Sequence, residues 1–138
     1  MFTLFEPVPL SSRAPNWAAR LSGYSDVFGF SPFGDLFVCS SDGTQIALLR
    51  TERPELISLK FPSREEFSEV FLRNQNILQS VFRAADYNSL VERLGVPSPE
   101  DCFFPVPYPA IGGSGKLDTY QSGNVWVYLS IYAQTLGI

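Results

Sequence analysis

The chain contains no histidine and only two cysteines among its 138 residues. Without histidine it lacks the commonest general base, the commonest metal ligand and the side chain that titrates near physiological pH. Cys39 and Cys102 are too few for a disulfide framework or a cysteine zinc site, and we expect both to be buried as small apolar residues. The sequence therefore predicts a protein that is not an enzyme and that needs no cofactor and no metal.

Positive charge is also scarce, since ten Lys and Arg residues stand against fourteen Asp and Glu residues, a net charge of −4. Nucleic-acid-binding domains usually concentrate basic residues on one face, so no nucleic-acid partner is predicted. No apolar run approaches the roughly 18 residues of a membrane span, and Glu6, Pro7 and Pro9 interrupt the segment where a secretion signal would lie. We expect a cytoplasmic location and no membrane partner.

The composition is otherwise that of a folded domain. Hydrophobic residues make up 45% of the chain, aromatic residues 14% and charged residues only 17%, a balance opposite to that of disordered chains. The length suits one hydrophobic core and is too short for two. We therefore predict a single domain over residues 1–138, with residues 1–14 as an extended N-terminal arm.

Strand patterns fill the region between residues 26 and 61. Asp42 and Gly43 favour the positive φ angles of a tight hairpin turn. From Ile57 to Phe61 every second residue is apolar, so one face of that strand is dry and the other is wet. The simplest arrangement is a four-strand antiparallel meander over about 26–61.

Helical periodicity begins after Ser63, which forms a capping box with Glu66 three residues later. Near the C-terminus Asn124 is a suitable N-cap for a last helix. A short C-terminal strand pair, with one strand near 117–121, completes an α+β fold. Helices are predicted at about 15–22, at 64–94 in two or three pieces, and at 124–136.

Acidic residues bunch in two places and are candidates for binding a partner: Glu65, Glu66, Glu69, Glu100 and Asp101. Such a patch would steer the chain toward a basic protein. The same residues also suit a solvated helix face and acidic first turns that complement helix dipoles, and the sequence leaves both interpretations open. Asp35 differs because it stands among strand aromatics. We predict a structural role for it, either at the sheet edge or as an acceptor of loop N–H groups.

The run that contains Gly112, Gly113 and Gly115 superficially suggests a phosphate-binding loop, because Lys116 follows it. That motif needs Ser or Thr after the lysine, a preceding buried strand and a following helix. Leu117 occupies the critical position instead. The glycines therefore predict a structural loop that uses positive φ angles and close backbone approach.

Three stretches, taken in order, resemble one family: Phe33–Val38, Val106–Gly115 and Trp126–Gly137. They comprise a Phe-Gly-acidic hairpin, a hydrophobic Gly-Gly loop and a final helix with a glutamine near its end. This order is similar to that of the GAD-like family, and more narrowly to the C-terminal domain of type VI secretion DNase-immunity proteins, which are akin to SMI/KNR-type immunity proteins. The resemblance covers an α+β core of about residues 24–137.

The resemblance implies a non-catalytic interaction protein that binds and occludes a cognate toxin, with no cofactor. The expected partner is a secreted toxin with a basic surface, and the chain itself would be a monomer or a weak homodimer. Two alternatives remain open. One is a stand-alone binding or scaffold module that recognises a ligand near Gly112–Gly115, and the other is a hydrolase that uses carboxylates alone.

Overall fold

A five-stranded antiparallel sheet forms the centre of the computed structural model, which describes all 138 residues. The strands follow one another in chain order across the sheet. A separate two-stranded antiparallel sheet lies near the C-terminus. The strands of the main sheet are β1 (Thr3–Pro9), β2 (Asp26–Phe30), β3 (Leu36–Cys39), β4 (Ile46–Arg50) and β5 (Glu55–Leu59), and those of the small sheet are β6 (Asp101–Pro105) and β7 (Tyr120–Asn124).

The predicted α+β class is confirmed, and β2 to β5 are the meander expected over 26–61. The sheet has five strands rather than four, because residues 3–9 of the expected arm pair with β2. Gly29 makes this pairing sterically feasible, since a Cβ atom there would lie 2.6 Å from the carbonyl oxygen of Thr3. The prolines that suggested a free arm are accommodated because β1 is an edge strand and carries a register shift between Leu4 and Val8.

The helices are shorter than their patterns predict. The helix expected over 15–22 ends at Ala18, before the chain turns back into β2, and the region 64–94 divides into three α-helices and a π-helical segment. No helix combines the length and the apolar character needed to cross a bilayer. The helices are α1 (Leu10–Arg13), α2 (Pro15–Ala18), α3 (Arg64–Glu66), the π-helical segment Phe67–Phe71, α4 (Gln75–Ser80), α5 (Ala84–Leu94) and α6 (Val125–Leu136). Two 3₁₀ helices lie at Pro109–Ile111 and Leu117–Thr119. The second of them occupies the start of the strand expected near 117–121, so that strand, β7, begins only at Tyr120.

One face of the sheet packs against α1, α2 and α6. The fully buried Trp17 of α2 donates its indole N–H to the carbonyl oxygen of Leu129 at 3.0 Å, which fastens the N-terminal helices to α6. Asn124 caps α6 as predicted, because its Oδ1 accepts the N–H groups of Trp126 and Val127. The helix α6 contains no charged residue, and its buried side chains pack against this face of the sheet.

The opposite face of the sheet packs against the helical region that follows β5, largely through phenylalanine rings. Phe67 is fully buried, and its ring lies edge-on to Phe37 at 5.2 Å and to Phe28 at 5.5 Å between centroids. Phe71 stacks on Phe67 at 5.3 Å, and Phe82 contacts Phe37 at 6.0 Å. Edge-to-face contacts of this kind add to the stabilisation from burial, so these rings fix the helical segment on the sheet.

We expect Phe67→Ala to lower the free energy of unfolding by about 3–5 kcal/mol, because it opens a cavity among four aromatic neighbours. Val70→Ala is the matched control, since Val70 lies in the same π-helical segment but is 56% exposed. The control should stay within about 0.5 kcal/mol of the wild type. Urea denaturation followed by circular dichroism measures both. Equal losses in the two variants would contradict the packing described above.

Candidate functional site

Glu65, Glu66 and Glu69 lie on the helical region that begins after β5, and all three are exposed. Ser63 caps this region as predicted, since its Oγ accepts the N–H of Glu66 at 3.2 Å. The buried ring of Phe67 anchors the opposite side of the same turn in the core. The three carboxylates are therefore held in solvent by a helical segment that is fixed at both its cap and its apolar side.

A cleft of about 260 Å³ separates this helical segment from β1. Its floor includes the buried ring of Phe28, and its rim includes Leu4, which is 46% exposed. Glu65 stands on one side of the cleft. Across it, Glu6 forms an ion pair at 3.5 Å with Arg64. The structure thus brings Glu65 to a small cleft of mixed polar and apolar lining that a second carboxylate, Glu6, also borders. Sequence reasoning did not select Glu6, because it appeared there only as a residue of the arm.

Glu100 and Asp101 adjoin the other end of β1. The carbonyl oxygen of Glu100 accepts the N–H of Val125 at 2.8 Å, which ties the start of β6 to the start of α6. The side chain of Glu100 is exposed and that of Asp101 is half-buried. Asp101 lines a second cleft, of about 170 Å³, together with residues 1–3. Glu65 and Asp101 therefore line separate clefts beside one strand, and the joint role of the two acidic groups in binding stays a prediction.

Asp35 is a buried anchor of the turn between β2 and β3. Its carboxylate accepts the hydroxyl proton of Ser31 at 2.8 Å and the Nε–H of Arg50 at 3.1 Å. Neither predicted role for its carboxylate describes this arrangement, although Ser31 Oγ in turn accepts the backbone N–H of Asp35. Burial raises the pKa of the Asp35 carboxyl, and this effect outweighs the lowering contributions from Arg50 and Ser31. The group joins the turn to β4.

The glycine loop is tightly closed on itself. A Cβ atom at Gly113 would lie 1.8 Å from the carbonyl oxygen of Pro107, and the N–H of Gly113 donates to the carbonyl oxygen of Tyr108 at 3.0 Å. Gly112 has a φ of +99°, which only glycine adopts readily, and Gly115 also has a positive φ. This geometry agrees with a structural loop.

A tyrosine cluster, which sequence reasoning did not recognise, holds that loop against α6. Tyr128 stacks on Phe104 at 4.7 Å and on Tyr132 at 5.5 Å, and Tyr108 lies edge-on to both tyrosines. Burial raises the pKa of the Tyr128 phenol above its ordinary value, which further favours the protonated form. The high aromatic content was the available signal, but nothing in the sequence indicated that these four rings meet.

Arg83 is a second feature that the sequence did not reveal. It has a φ of +53°, which is unusual for a residue with a side chain. Its guanidinium lies 4.4 Å from the ring centroid of Phe33, donates to Asp86 at 2.9 Å and donates to the hydroxyl of Tyr120 at 3.0 Å. These contacts join α5 to the small sheet.

No three His, Cys, Asp or Glu side chains are grouped to hold a metal ion. Cys39 and Cys102 are free and buried, and burial raises the pKa of both thiols. The cleft beside β1 is lined by two carboxylates, by Arg64 and Ser68, and by the apolar side chains of Leu4, Phe5 and Phe28.

We expect Asp35→Asn to change the pH dependence of stability. Because the pKa of Asp35 is raised above its ordinary value of 3.8, the folded wild type binds more protons than the unfolded chain just above that pH. Its free energy of unfolding should therefore fall, relative to that of the variant, as the pH rises from about 4 toward neutrality. Urea denaturation of both proteins across this range measures the difference. If the free energy of unfolding of the wild type instead rises with pH relative to that of Asp35→Asn, the ion pair with Arg50 dominates over the effect of burial.

Comparison with known proteins identifies a matching family and a solved structure with a similar fold. A family model described as "T6SS immunity protein Tdi1, C-terminal" matches residues 62–135, a span that runs from the acidic helical segment into α6. The crystal structure of Atu4351 from Agrobacterium tumefaciens superposes with a TM-score of 0.66 at 16% identity. The alignment covers 96% of this chain and 66% of that one, and at this identity it shows a shared fold alone. No curated protein sequence matches significantly.

The family match confirms the resemblance to type VI secretion immunity proteins that the motifs indicated. The matched span contains two of the three motif stretches, the glycine loop and most of the final helix. It also contains Glu65, Glu66, Glu69, Glu100 and Asp101. Since the match covers more than half of the 138 residues, the chain belongs to the family of C-terminal domains of the type VI secretion immunity protein Tdi1.

Proposed function

We propose that this chain neutralises a cognate secreted toxin by binding it and covering its active surface, without catalysing a reaction. The observation that carries the proposal is the family match over residues 62–135. An immunity protein of this kind acts where the toxin would otherwise act, so the proposal includes a cytoplasmic location. The exposed side chains of this chain indicate the chemical character of the surface that the toxin would present to them.

The acidic surface beside β1 supports a basic partner. Glu65, Glu66 and Glu69 are exposed, and the chain carries a net charge of −4. Opposite charge on a partner would accelerate encounter and select orientation. The exposed side chains of Leu4 and Val70 supply apolar contact beside the carboxylates, which a stable interface also needs.

The rigidity of this surface supports binding by occlusion. Ser63 caps the helical segment, and Phe67 anchors it in the core, so little side-chain or backbone order has to be created on binding. A standard interface buries about 800 Å² on each partner. The segment with its flanking strand β1 and the cleft between them offers one continuous region from which such an area can be drawn.

The alternative, a stand-alone module that recognises a small ligand near Gly112–Gly115, stays a prediction. Gly113 packs against the backbone of Pro107, and Tyr108 packs against the tyrosines of α6. These contacts favour a closed loop over a binding site. A module without a toxin partner would nevertheless share the fold, so only a functional experiment separates the two hypotheses.

We expect Glu69→Lys to weaken toxin binding by about tenfold, or ~1.4 kcal/mol. Glu69 is the suitable position because it is exposed and lies beyond the capping turn. The candidate toxin in the assay is the protein encoded by the reading frame next to the gene for this chain. Isothermal titration calorimetry gives the affinity, and survival of cells that express toxin and variant together gives the protection.

Glu92→Lys is the matched control, because it makes the same charge change on an exposed position of α5. It should retain affinity and protection. Glu100→Lys tests whether the second acidic group belongs to the same interface. If the wild type neither binds the neighbouring toxin nor protects cells, the proposed function is wrong. If Glu69→Lys and Glu92→Lys weaken binding equally, the toxin binds but the acidic helical segment is not its site.

A further inference from the structure

The two edges of the main sheet differ in their capacity to accept another strand. β1 contains Pro7 and Pro9, which have no N–H to donate, and its pairing is irregular between Leu4 and Val8. β5, at the other edge, pairs with β4 in unbroken register over all five residues and contains no proline. Proteins usually protect exposed edges from pairing. Here only one of the two edges carries that protection.

The hydrogen-bond pattern identifies which groups of β5 face outward. The N–H of Ser40 donates to the carbonyl oxygen of Gln45 across the β3–β4 hairpin at 2.9 Å. Because orientation alternates along antiparallel strands, Ile46, Leu48 and Arg50 direct their backbone groups toward β5. Their partners are Leu59, Ile57 and Glu55.

The intervening residues of β5, Leu56 and Ser58, therefore direct their N–H and C=O groups away from the sheet. No backbone bond outside the regular elements and no side-chain bond uses these groups. Leu56 is 37% exposed and Ser58 is exposed. The two N–H donors and two C=O acceptors of Leu56 and Ser58 thus line the outer edge of β5, with the spacing that a partner strand requires.

The charges around this edge permit two identical chains to approach. Glu52 and Glu55 are balanced by Arg53 and Lys60, so the segment 52–60 is neutral although the whole chain carries −4. The acidic end precedes Leu56 and the basic Lys60 follows Leu59. In an antiparallel arrangement of two copies, the Glu55 end of each strand lies beside the Lys60 end of the other, which is complementary at both ends.

We propose that two copies of this chain associate by antiparallel pairing of β5 with β5 about a two-fold axis through Ile57. Leu56 of each copy then exchanges both backbone hydrogen bonds with Ser58 of the other. Ile57 faces Ile57 as a non-hydrogen-bonded pair, and Glu55 faces Leu59. The two five-stranded sheets become one continuous sheet of ten strands. This association is independent of toxin binding at the acidic helical segment.

The register makes a sharp cysteine test possible. Non-hydrogen-bonded antiparallel pairs have Cα atoms about 4.5 Å apart, within the range that a disulfide spans. On oxidation, Ile57→Cys alone should give a disulfide-linked dimer. Glu55→Cys and Leu59→Cys should each stay mainly unlinked alone and link when the two variants are mixed. Val96→Cys is the control for random collision, since Val96 is 74% exposed and lies beside the start of β1, at the opposite edge of the sheet from β5.

Sedimentation of the unmodified full chain tests the association directly. The mass should rise with concentration from that of one chain, 15.4 kDa, toward twice that value. Leu56→Pro removes an outward N–H and should remove the dimer, whereas Leu56→Ala should keep it. If Leu56→Pro fails to fold, the cysteine pattern still decides. A monomeric mass up to the solubility limit, or equal linking of Ile57→Cys and Val96→Cys, would overturn the proposal.

Discussion

The need to bury both faces of one antiparallel sheet organises this molecule. All four residues of β3 are buried, and they alternate between the two faces, so neither face is left to solvent at the centre of the sheet. Trp17 and α6 cover one face, and the phenylalanine cluster around Phe67 covers the other. Because a sheet of this size cannot leave such apolar faces exposed, the positions of the helices follow from it, and so do the surfaces that remain.

The surface next to β1 is a direct consequence of that packing. The helical region after β5 must cross the sheet to bring Phe67 against Phe28 and Phe37. Crossing the sheet places its acidic side beside the edge strand, where Glu6 pairs with Arg64. The carboxylates are thus presented by a segment whose geometry is fixed by burial. The chain belongs to a toxin-immunity family, and the proposed occlusion of a toxin would use a preorganised surface of this kind.

The local parts of the fold were predictable from sequence, and the long-range parts were not. The alternation within β5, the Ser63 cap and the Asn124 cap depend on neighbouring residues and were confirmed. The pairing of β1 depends on Gly29 lying under Thr3, which no local pattern encodes. Likewise the contact of Arg83 with Phe33 joins residues fifty positions apart. The acidic residues of the helical segment were expected in solvent, but the placement of Glu65 and Asp101 at separate clefts required the three-dimensional arrangement.

We propose that a toxin binds at the acidic helical segment and at the adjoining strand β1. Hydrogen–deuterium exchange of the chain, alone and with the toxin of the neighbouring reading frame, tests it most directly. Amides protected only by local structure exchange more slowly when a partner covers them. The account predicts slower exchange across residues 3–9 and 64–71 in the complex. Unchanged exchange in both segments, with protection confined to another surface, would contradict it.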